Sequence, residues 1–216
     1  LGTGEIPFSV RLECPREQLM EEDELKKKPS EIYRANKTIE NMPVICDVRG
    51  NGLVGLLGTP ELTRAQLQNM ILHLTTHHCN TELKLVCFCG EDDKEELSWI
   101  EDLPHTHGET KEEVYLASTQ EEADALFHSF TELFKQRKQE AQENSSYGNT
   151  PLYIPYILFI FFEPNLLKKA DPINQYLFTE RELGIGCLMA VQKIAQLPKQ
   201  CTEIIALTDS KGEVYN

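Results

Sequence analysis

Leu53-Val54-Gly55-Leu56-Leu57-Gly58-Thr59-Pro60-Glu61-Leu62-Thr63-Arg64-Ala65 decides the fold of this chain. A short apolar run closes at Gly58 and an amphipathic helical pattern starts almost at once, which is the strand, glycine turn and helix of a phosphate-binding loop. That motif is spelled G-x-x-x-x-G-K-[ST], whereas positions 58, 63, 64 and 65 here read Gly, Thr, Arg and Ala. The frame is present and most of its chemistry has been replaced.

Each replacement has a physical consequence. A second glycine lets the backbone curl so that successive N–H groups point at phosphate, and Thr63 makes that curl harder. Arg64 keeps the charge of the usual lysine on a bulkier, forked group. Ala65 lacks the hydroxyl that binds Mg²⁺. Pro60 removes an N–H, and Glu61 places a negative charge where phosphates would lie. The same residues also make a helix start that satisfies itself. Thr59 is a good N-cap, Pro60 suits the first helical position and Glu61 complements the helix dipole. Gly58, Thr59, Thr63, Arg64 and Ala65 are thus the candidate nucleotide-binding positions, read as a degenerate site.

A phosphate-binding loop works with a hydrophobic strand that ends in carboxylates for Mg²⁺ and for water. The strand of that quality here ends Ile160-Phe161-Phe162-Glu163-Pro164. Phe162 takes the place of the metal-binding aspartate and Glu163 that of the catalytic glutamate. Glu163 is the one candidate catalytic residue, able to steer a water but with no carboxylate beside it to hold a metal. Both halves of the motif depart together, so no cofactor is expected, with ATP and Mg²⁺ as the alternative.

The chain has 216 residues, 40% of them apolar, enough for one sizeable α/β core. Thirty-five acidic against 21 basic residues give a net charge of −14, which excludes general nucleic-acid or anionic-membrane binding. The basic runs at 26–28 and 135–138 read as solvated helix faces. Seven cysteines, with Cys46, Cys87, Cys89 and Cys187 inside apolar runs, suit buried thiols in a reducing compartment rather than a disulfide framework. The longest apolar run, 153–162, is interrupted by Pro155 and is about half the ~20 residues of a membrane helix. A first residue other than Met suggests a piece of a longer protein.

Along the chain, residues 1–40 read as a lead-in: a short alternating segment (Phe8, Val10, Leu12), then a charged helix near 30–40. Residues 41–216 form the α/β core. Strands at 43–48 and 53–57 are expected to form a hairpin through Arg49-Gly50-Asn51-Gly52. The next helix carries Leu67, Met70, Ile71 and Leu74 on one face. Residues 83–89 form an interior strand, and a short helix from 91 carries Trp99, read as a packing anchor. A strand at 113–117 precedes the capping box Thr119-x-x-Glu122 and a helix with Ala123, Leu126, Phe127, Phe130, Leu133 and Phe134 on its apolar face. The tail of that helix, 135–143, reads as polar all round and runs into a flexible loop at 144–149. The strand 156–162 is expected at the sheet centre. A helix at 172–182, a strand at 185–191 and a strand pair at 204–207 and 213–215 follow. This alternation means an open, mostly parallel sheet with helices on both faces.

His73 and His77 share a helix face at a spacing zinc can use, but the intervening residues lack the glutamate of a metalloprotease and no further ligand is well spaced. They read as a surface histidine cluster, so no metal site is assigned. His105-x-His107 reads as a loop, and no nucleophile in a marked turn accompanies it.

Taken together, these residues resemble the EssC/EccC coupling ATPases of type VII secretion, in the FtsK/SpoIIIE superfamily, and above all their membrane-proximal domain, which precedes the tandem ATPase modules. The resemblance rests on Leu1-Gly2-Thr3-Gly4-Glu5-Ile6-Pro7, Asn41-Met42-Pro43-Val44, 53–58, the helix leading to Leu74-Thr75-Thr76-His77-His78, and Trp99-x-x-x-Leu103-Pro104-His105. It spans nearly the whole chain with the order of elements kept. It implies a RecA-like, P-loop-NTPase-like fold inside a longer membrane-anchored protein that works at the cytoplasmic face of the bacterial cell membrane. It further implies hexamer formation, contacts with other domains of the same chain and other secretion-machine subunits, and export of small helical Trp-X-Gly-type substrates. Three functions follow: a degenerate pseudo-ATPase module that couples or positions its neighbours, a weakly active ATPase using Arg64 and Glu163, or a docking surface for substrate or partner.

Overall fold

A computed structural model describes residues 1–8, 24–108, 110, 113–145, 152–168 and 171–215. Positions 10 and 12 of the expected first strand, and 146–149 of the expected loop, lie outside them. The chain folds into two compact units, Leu1–Cys46 and Asp47–Asn216.

In the first unit β1 (Gly2–Pro7) precedes α1 (Glu24–Ala35), and β2 (Thr38–Val44) returns antiparallel to β1. The charged helix thus lies earlier than its expected place near 30–40, because Thr38-Ile39 continue as strand.

The second unit opens with a one-turn helix, α2 (Val48–Asn51). It stands where a hairpin turn is expected. Asp47 accepts a hydrogen bond from the Gly50 N–H and caps this turn, and the strand that follows pairs parallel with distant strands instead. The remaining elements are β3 (Leu53–Leu57), α3 (Pro60–His77), β4 (Leu83–Phe88), α4 (Lys94–Leu97), β5 (Leu116–Ala117), α5 (Gln120–Ser145), β6 (Tyr156–Phe161), α6 (Asn174–Thr179), β7 (Ile185–Val191), β8 (Glu203–Leu207) and β9 (Gly212–Tyr215). The helix expected at 172–182 is a shorter α6 followed by a 3-10 turn, and the strand expected from 113 is reduced to two residues.

The seven strands lie in the order β5-β4-β6-β7-β3-β8-β9, all parallel except the last. The centre is therefore β7, every residue of which is buried, and not β6 as its higher apolar content suggests. Sequence hydrophobicity reports burial on both faces, which β6 and β7 share, and not lateral position.

Alternation along each strand sends side chains to two opposite layers. On one face Phe127, Phe130 and Phe134 of α5 pack on Val86, Phe88, Phe159 and Phe161, with ring centroids 4.8 Å apart for Phe88–Phe127 and 5.3 Å for Phe130–Phe159. On the other, Leu67, Met70 and Ile71 of α3 are buried with Val54, Leu56, Leu85, Leu158 and Leu188. The Thr119–Glu122 box forms: the Glu122 N–H donates to Thr119 Oγ1 and the Thr119 N–H to Glu122 Oε2. Leu97 and Ile100 anchor the segment after β4, while Trp99 is only half-buried.

The tail of α5 is not polar all round. Arg137 is 6% exposed. Its guanidinium donates to the Leu183 and Pro155 carbonyls, both at 2.8 Å, and lies over the Tyr153 ring. Gly184 makes room for it with φ +74°, since a Cβ there would stand 2.9 Å from Tyr153 Cβ and 3.2 Å from the guanidinium.

Cys87, Cys89 and Cys187 are buried, as expected, while Cys46 is only half-buried. Burial pushes the Cys89 thiol up to about 11, and Cys87 and Cys187 further, so these thiols are not nucleophiles at neutral pH. Among the described residues no helix is long and apolar enough to cross a membrane.

Candidate functional site

In an open parallel sheet, ligands bind beyond the carboxyl ends of the strands, where neighbouring strands send their connections in opposite directions. Here β3 connects to β4 on one side and its neighbour β7 connects to β8 on the other. A cavity of about 130 Å³ lies at that point, lined by Thr63, Arg64, Asp93, Phe162, Glu163 and Gln192 among others. The fold therefore brings Thr63, Arg64 and Glu163 together. It leaves Gly58, Thr59 and Ala65 off the lining, with Ala65 and Thr59 exposed.

The local structure follows from the sequence between Gly58 and Arg64. Helix α3 begins at Pro60, two residues after the glycine, so positions that would curl around a phosphate form its first turn. Three of the backbone donors there, those of Gly58, Leu62 and Thr63, are already taken. The Gly58 N–H continues the sheet ladder to the Val191 carbonyl at 3.1 Å. Pro60 has none. The Glu61 carboxylate takes its own N–H and the Thr59 hydroxyl, which hold it below the ordinary carboxylate range. The Leu62 N–H donates to Thr59 Oγ1 at 3.5 Å and the Thr63 N–H to the Thr59 carbonyl at 3.0 Å. Thr63, buried, turns its hydroxyl back to the Thr59 and Pro60 carbonyls. Gly58 has a packing role: a Cβ would stand 3.2 Å from both Cβ and O of Leu207.

Arg64 is engaged by protein carboxylates. Its fork donates to Asp93 Oδ1 at 2.6 Å and to Glu96 Oε2 at 2.8 Å, and Gln68 donates to the other oxygen of Glu96. A guanidinium between two carboxylates presents no net positive charge to an anion. Glu163 accepts from the Asn165 N–H at 3.0 Å, capping the turn Pro164–Leu166, while the Phe162 and Glu163 N–H groups both donate to the Phe88 carbonyl. Gln196 Oε1 accepts from the Gln192 and Lys193 N–H groups and closes the opposite wall.

Asp93, Glu96, Gln192 and Gln196 are not legible as site residues from sequence. The acidic run 91–96 is visible there, but only the fold shows that it meets Arg64.

Beside this cavity, and sharing Pro164, Asn165 and Gln196 with it, lies a groove of about 810 Å³ between α6 and the 192–202 connection. Its floor is Leu167, Phe178, Met189 and Leu197, and no carboxylate among the described residues lines it.

The remaining histidines lie elsewhere. His105 is buried in a 3-10 turn with Nε2 2.9 Å from the His78 carbonyl. His73 and His77 are exposed on the last turns of α3. Among the described residues no group of three or more His, Cys, Asp or Glu could hold a metal.

No family model matches the chain. It is 25% identical over 219 residues to the type VII secretion system protein EssC of Staphylococcus aureus, and 24% identical over 221 residues to the ESX secretion system protein YukB of Bacillus subtilis. Each alignment covers 99% of this chain but only 14% of the relative, so the chain spans a small part of the proteins it matches. Among solved structures, EssC (ATPases 2 and 3) from Geobacillus thermodenitrificans superposes with a TM-score of 0.60 at 14% identity, over 80% of this chain and 34% of that one. EccC (ATPases 2 and 3) of Thermomonospora curvata, solved in complex with a signal sequence peptide, gives 0.56 at 17% identity over 76% and 32%. These likenesses establish the P-loop-NTPase-like fold. By sequence along nearly its whole length, and by fold, the chain is similar to the EssC/EccC proteins of type VII secretion.

Proposed function

We propose that the chain is a catalytically degenerate, ATPase-like domain of a type VII secretion coupling protein, acting as a structural or coupling module without binding ATP or Mg²⁺. The observation that carries this reading is the closed helix start. The donors of Gly58, Leu62 and Thr63 have internal partners, and Arg64 is forked onto Asp93 and Glu96. A triphosphate would have to displace these bonds in a cavity of about 130 Å³, below the roughly 300–1,000 Å³ of ordinary ligand pockets. Phe162 and Ala65 supply no oxygen for Mg²⁺. In this reading the domain is the membrane-proximal module of a longer, membrane-anchored protein at the cytoplasmic face, oligomeric as a hexamer. It meets other domains of its own chain and other machine subunits during export of helical Trp-X-Gly-type proteins, and no nucleic acid.

Calorimetric titration of the protein with ATP and Mg²⁺, alongside the double variant Arg64→Ala, Glu163→Ala, tests it. No saturable heat at millimolar nucleotide is expected from either protein. Saturable binding that the double variant loses would overturn it in favour of a weakly active nucleotide site.

A docking role is compatible with this one and has its own support. The large groove has an apolar floor, and no carboxylate among the described residues lines it in a chain with 35 acidic residues. One structural neighbour was solved with a signal sequence peptide bound.

A further inference from the structure

The His73 and His77 rings on the exposed face of α3 stand 4.5 Å apart, centroid to centroid, tilted by 51°. One turn of helix separates them, so the backbone places the two side chains next to each other on one face. A divalent ion about 2.0–2.1 Å from one nitrogen of each ring lies about 3.2 Å from each centroid. Two imidazoles at right angles about such an ion therefore have centroids about 4.5 Å apart, and at the tetrahedral angle about 5.2 Å. The observed separation falls at the short end of the range that two imidazoles sharing one ion span.

We propose that His73 and His77 form a bidentate, open-sided site for a borderline divalent transition metal, with Cu²⁺ and Ni²⁺ favoured over Zn²⁺. Both rings are exposed, so the two nitrogens are within reach of solvent and the remaining coordination positions are filled by water. The absence of a third protein ligand among the described residues makes the site chelating but open, unlike a closed structural zinc site. Preference follows the general affinity order, in which Cu²⁺ exceeds Ni²⁺ and Zn²⁺ for nitrogen ligands. The site lies in the last turns of α3, while the closed nucleotide-like cavity lies at the first turn of the same helix. Ion binding would clamp the C-terminal turns of α3, where the Leu74 carbonyl accepts the final capping N–H from His78.

The nearby exposed thiol of Cys79 supplies the alternative explanation for any metal uptake. Its thiol is held below the ordinary range by hydrogen bonds from Thr81. The test is therefore titration of the intact chain with CuCl₂, NiCl₂ and ZnCl₂ separately, followed by calorimetry and, for Cu²⁺, by electron paramagnetic resonance. Four proteins are compared: unchanged, His73→Ala, His77→Ala and Cys79→Ser. The expected result is one ion per chain in the order Cu²⁺, Ni²⁺, Zn²⁺, with nitrogen hyperfine structure from two imidazoles. Each histidine variant should bind at least about tenfold more weakly, because chelation is lost, and Cys79→Ser should bind as before. Equal binding by the histidine variants, or loss in Cys79→Ser alone, would overturn the assignment. Both substituted histidines are exposed, so the variants fold and a negative result is informative.

Discussion

Arg64 Nη2 lies 2.6 Å from Asp93 Oδ1, so the one cation of the degenerate loop is committed to a carboxylate from the segment after β4. Glu96 completes the fork at 2.8 Å, yet its side chain is 55% exposed. Partly exposed pairs contribute about 0–1 kcal/mol each. The double variant Asp93→Asn, Glu96→Gln should therefore lose no more than about 1–2 kcal/mol in urea unfolding, and the loss should shrink at high salt. It should also still give no ATP heat, because freeing Arg64 leaves the first-turn donors of α3 occupied. Nucleotide binding gained by this variant would show that the carboxylates, and not the helix start, close the site.

Arg137 makes a sharper prediction. Its guanidinium is buried against the Leu183 and Pro155 carbonyls rather than held by a carboxylate, and burial lowers its pKa from the ordinary arginine range. Arg137→Ala removes the packing and leaves two carbonyls unpaired, at a cost of about 3–5 kcal/mol. Arg137→Lys keeps the charge but cannot span both carbonyls, and should cost less, about 1–3 kcal/mol. Urea denaturation midpoints for the two variants give the comparison. Gly184→Ala should be destabilising too, and non-additive with Arg137→Ala, since its Cβ would meet both Tyr153 and the guanidinium.

Where the sequence is legible and where it is not follows from how local each determinant is. The run 53–57, the helix start at Thr59-Pro60-Glu61, the Thr119–Glu122 box and the aromatic stripe of α5 are written in neighbouring residues, and each forms as read. Arg49-Gly50-Asn51-Gly52 spells a hairpin turn just as well as a helical one. What selects between them is Asp47 capping the turn and β3 finding β7 and β8, partners more than 120 residues away. Arg137 reads as solvated because its neighbours Gln136 and Lys138 are polar; its partners come from 155 and 183. The site divides the same way. Thr63, Arg64 and Glu163 are legible from the motif frame, whereas Asp93 and Glu96 matter only because α4 and the turn before it end beside α3.

The capping box sets a pH dependence. Hydrogen bonds from the Ser118 N–H, then from the Thr119 N–H and the Ser118 hydroxyl, hold the Glu122 carboxyl below its ordinary value. A carboxylate whose folded pKa is depressed stabilises the fold above its unfolded pKa. That contribution is lost as pH falls through the folded value. Glu122→Gln should therefore flatten the acid limb of stability below about pH 5 and change little below the folded pKa. Thr119→Ala should cost about 1 kcal/mol, because it removes the oxygen that accepts the Glu122 N–H. Thermal unfolding of the three proteins between about pH 3 and pH 7 separates the two effects, since only the glutamate variant alters the slope.

Gly58 distinguishes a phosphate-loop glycine from a packing glycine. In a working loop the first glycine is there so that the backbone can approach phosphate, and replacing it abolishes binding with little regard to stability. Here φ at Gly58 is not in the left-handed region, and its N–H is bonded to Val191 within the sheet ladder. What alanine would meet is protein: Leu207 at 3.2 Å and Thr63 Cγ2 at 3.4 Å. The contact to the Leu207 carbonyl is the less forgiving of these, since moving it strains β8. Gly58→Ala should thus cost about 1–2 kcal/mol by overpacking. Leu207→Ala keeps both contacting atoms, the Cβ and the carbonyl oxygen, and should restore none of that loss, whereas Leu207→Gly removes the Cβ and should couple with it. Urea unfolding of the single and double variants measures the coupling. If Gly58→Ala leaves stability unchanged and the double variant with Leu207→Gly shows no coupling, the glycine has no packing role between β3 and β8.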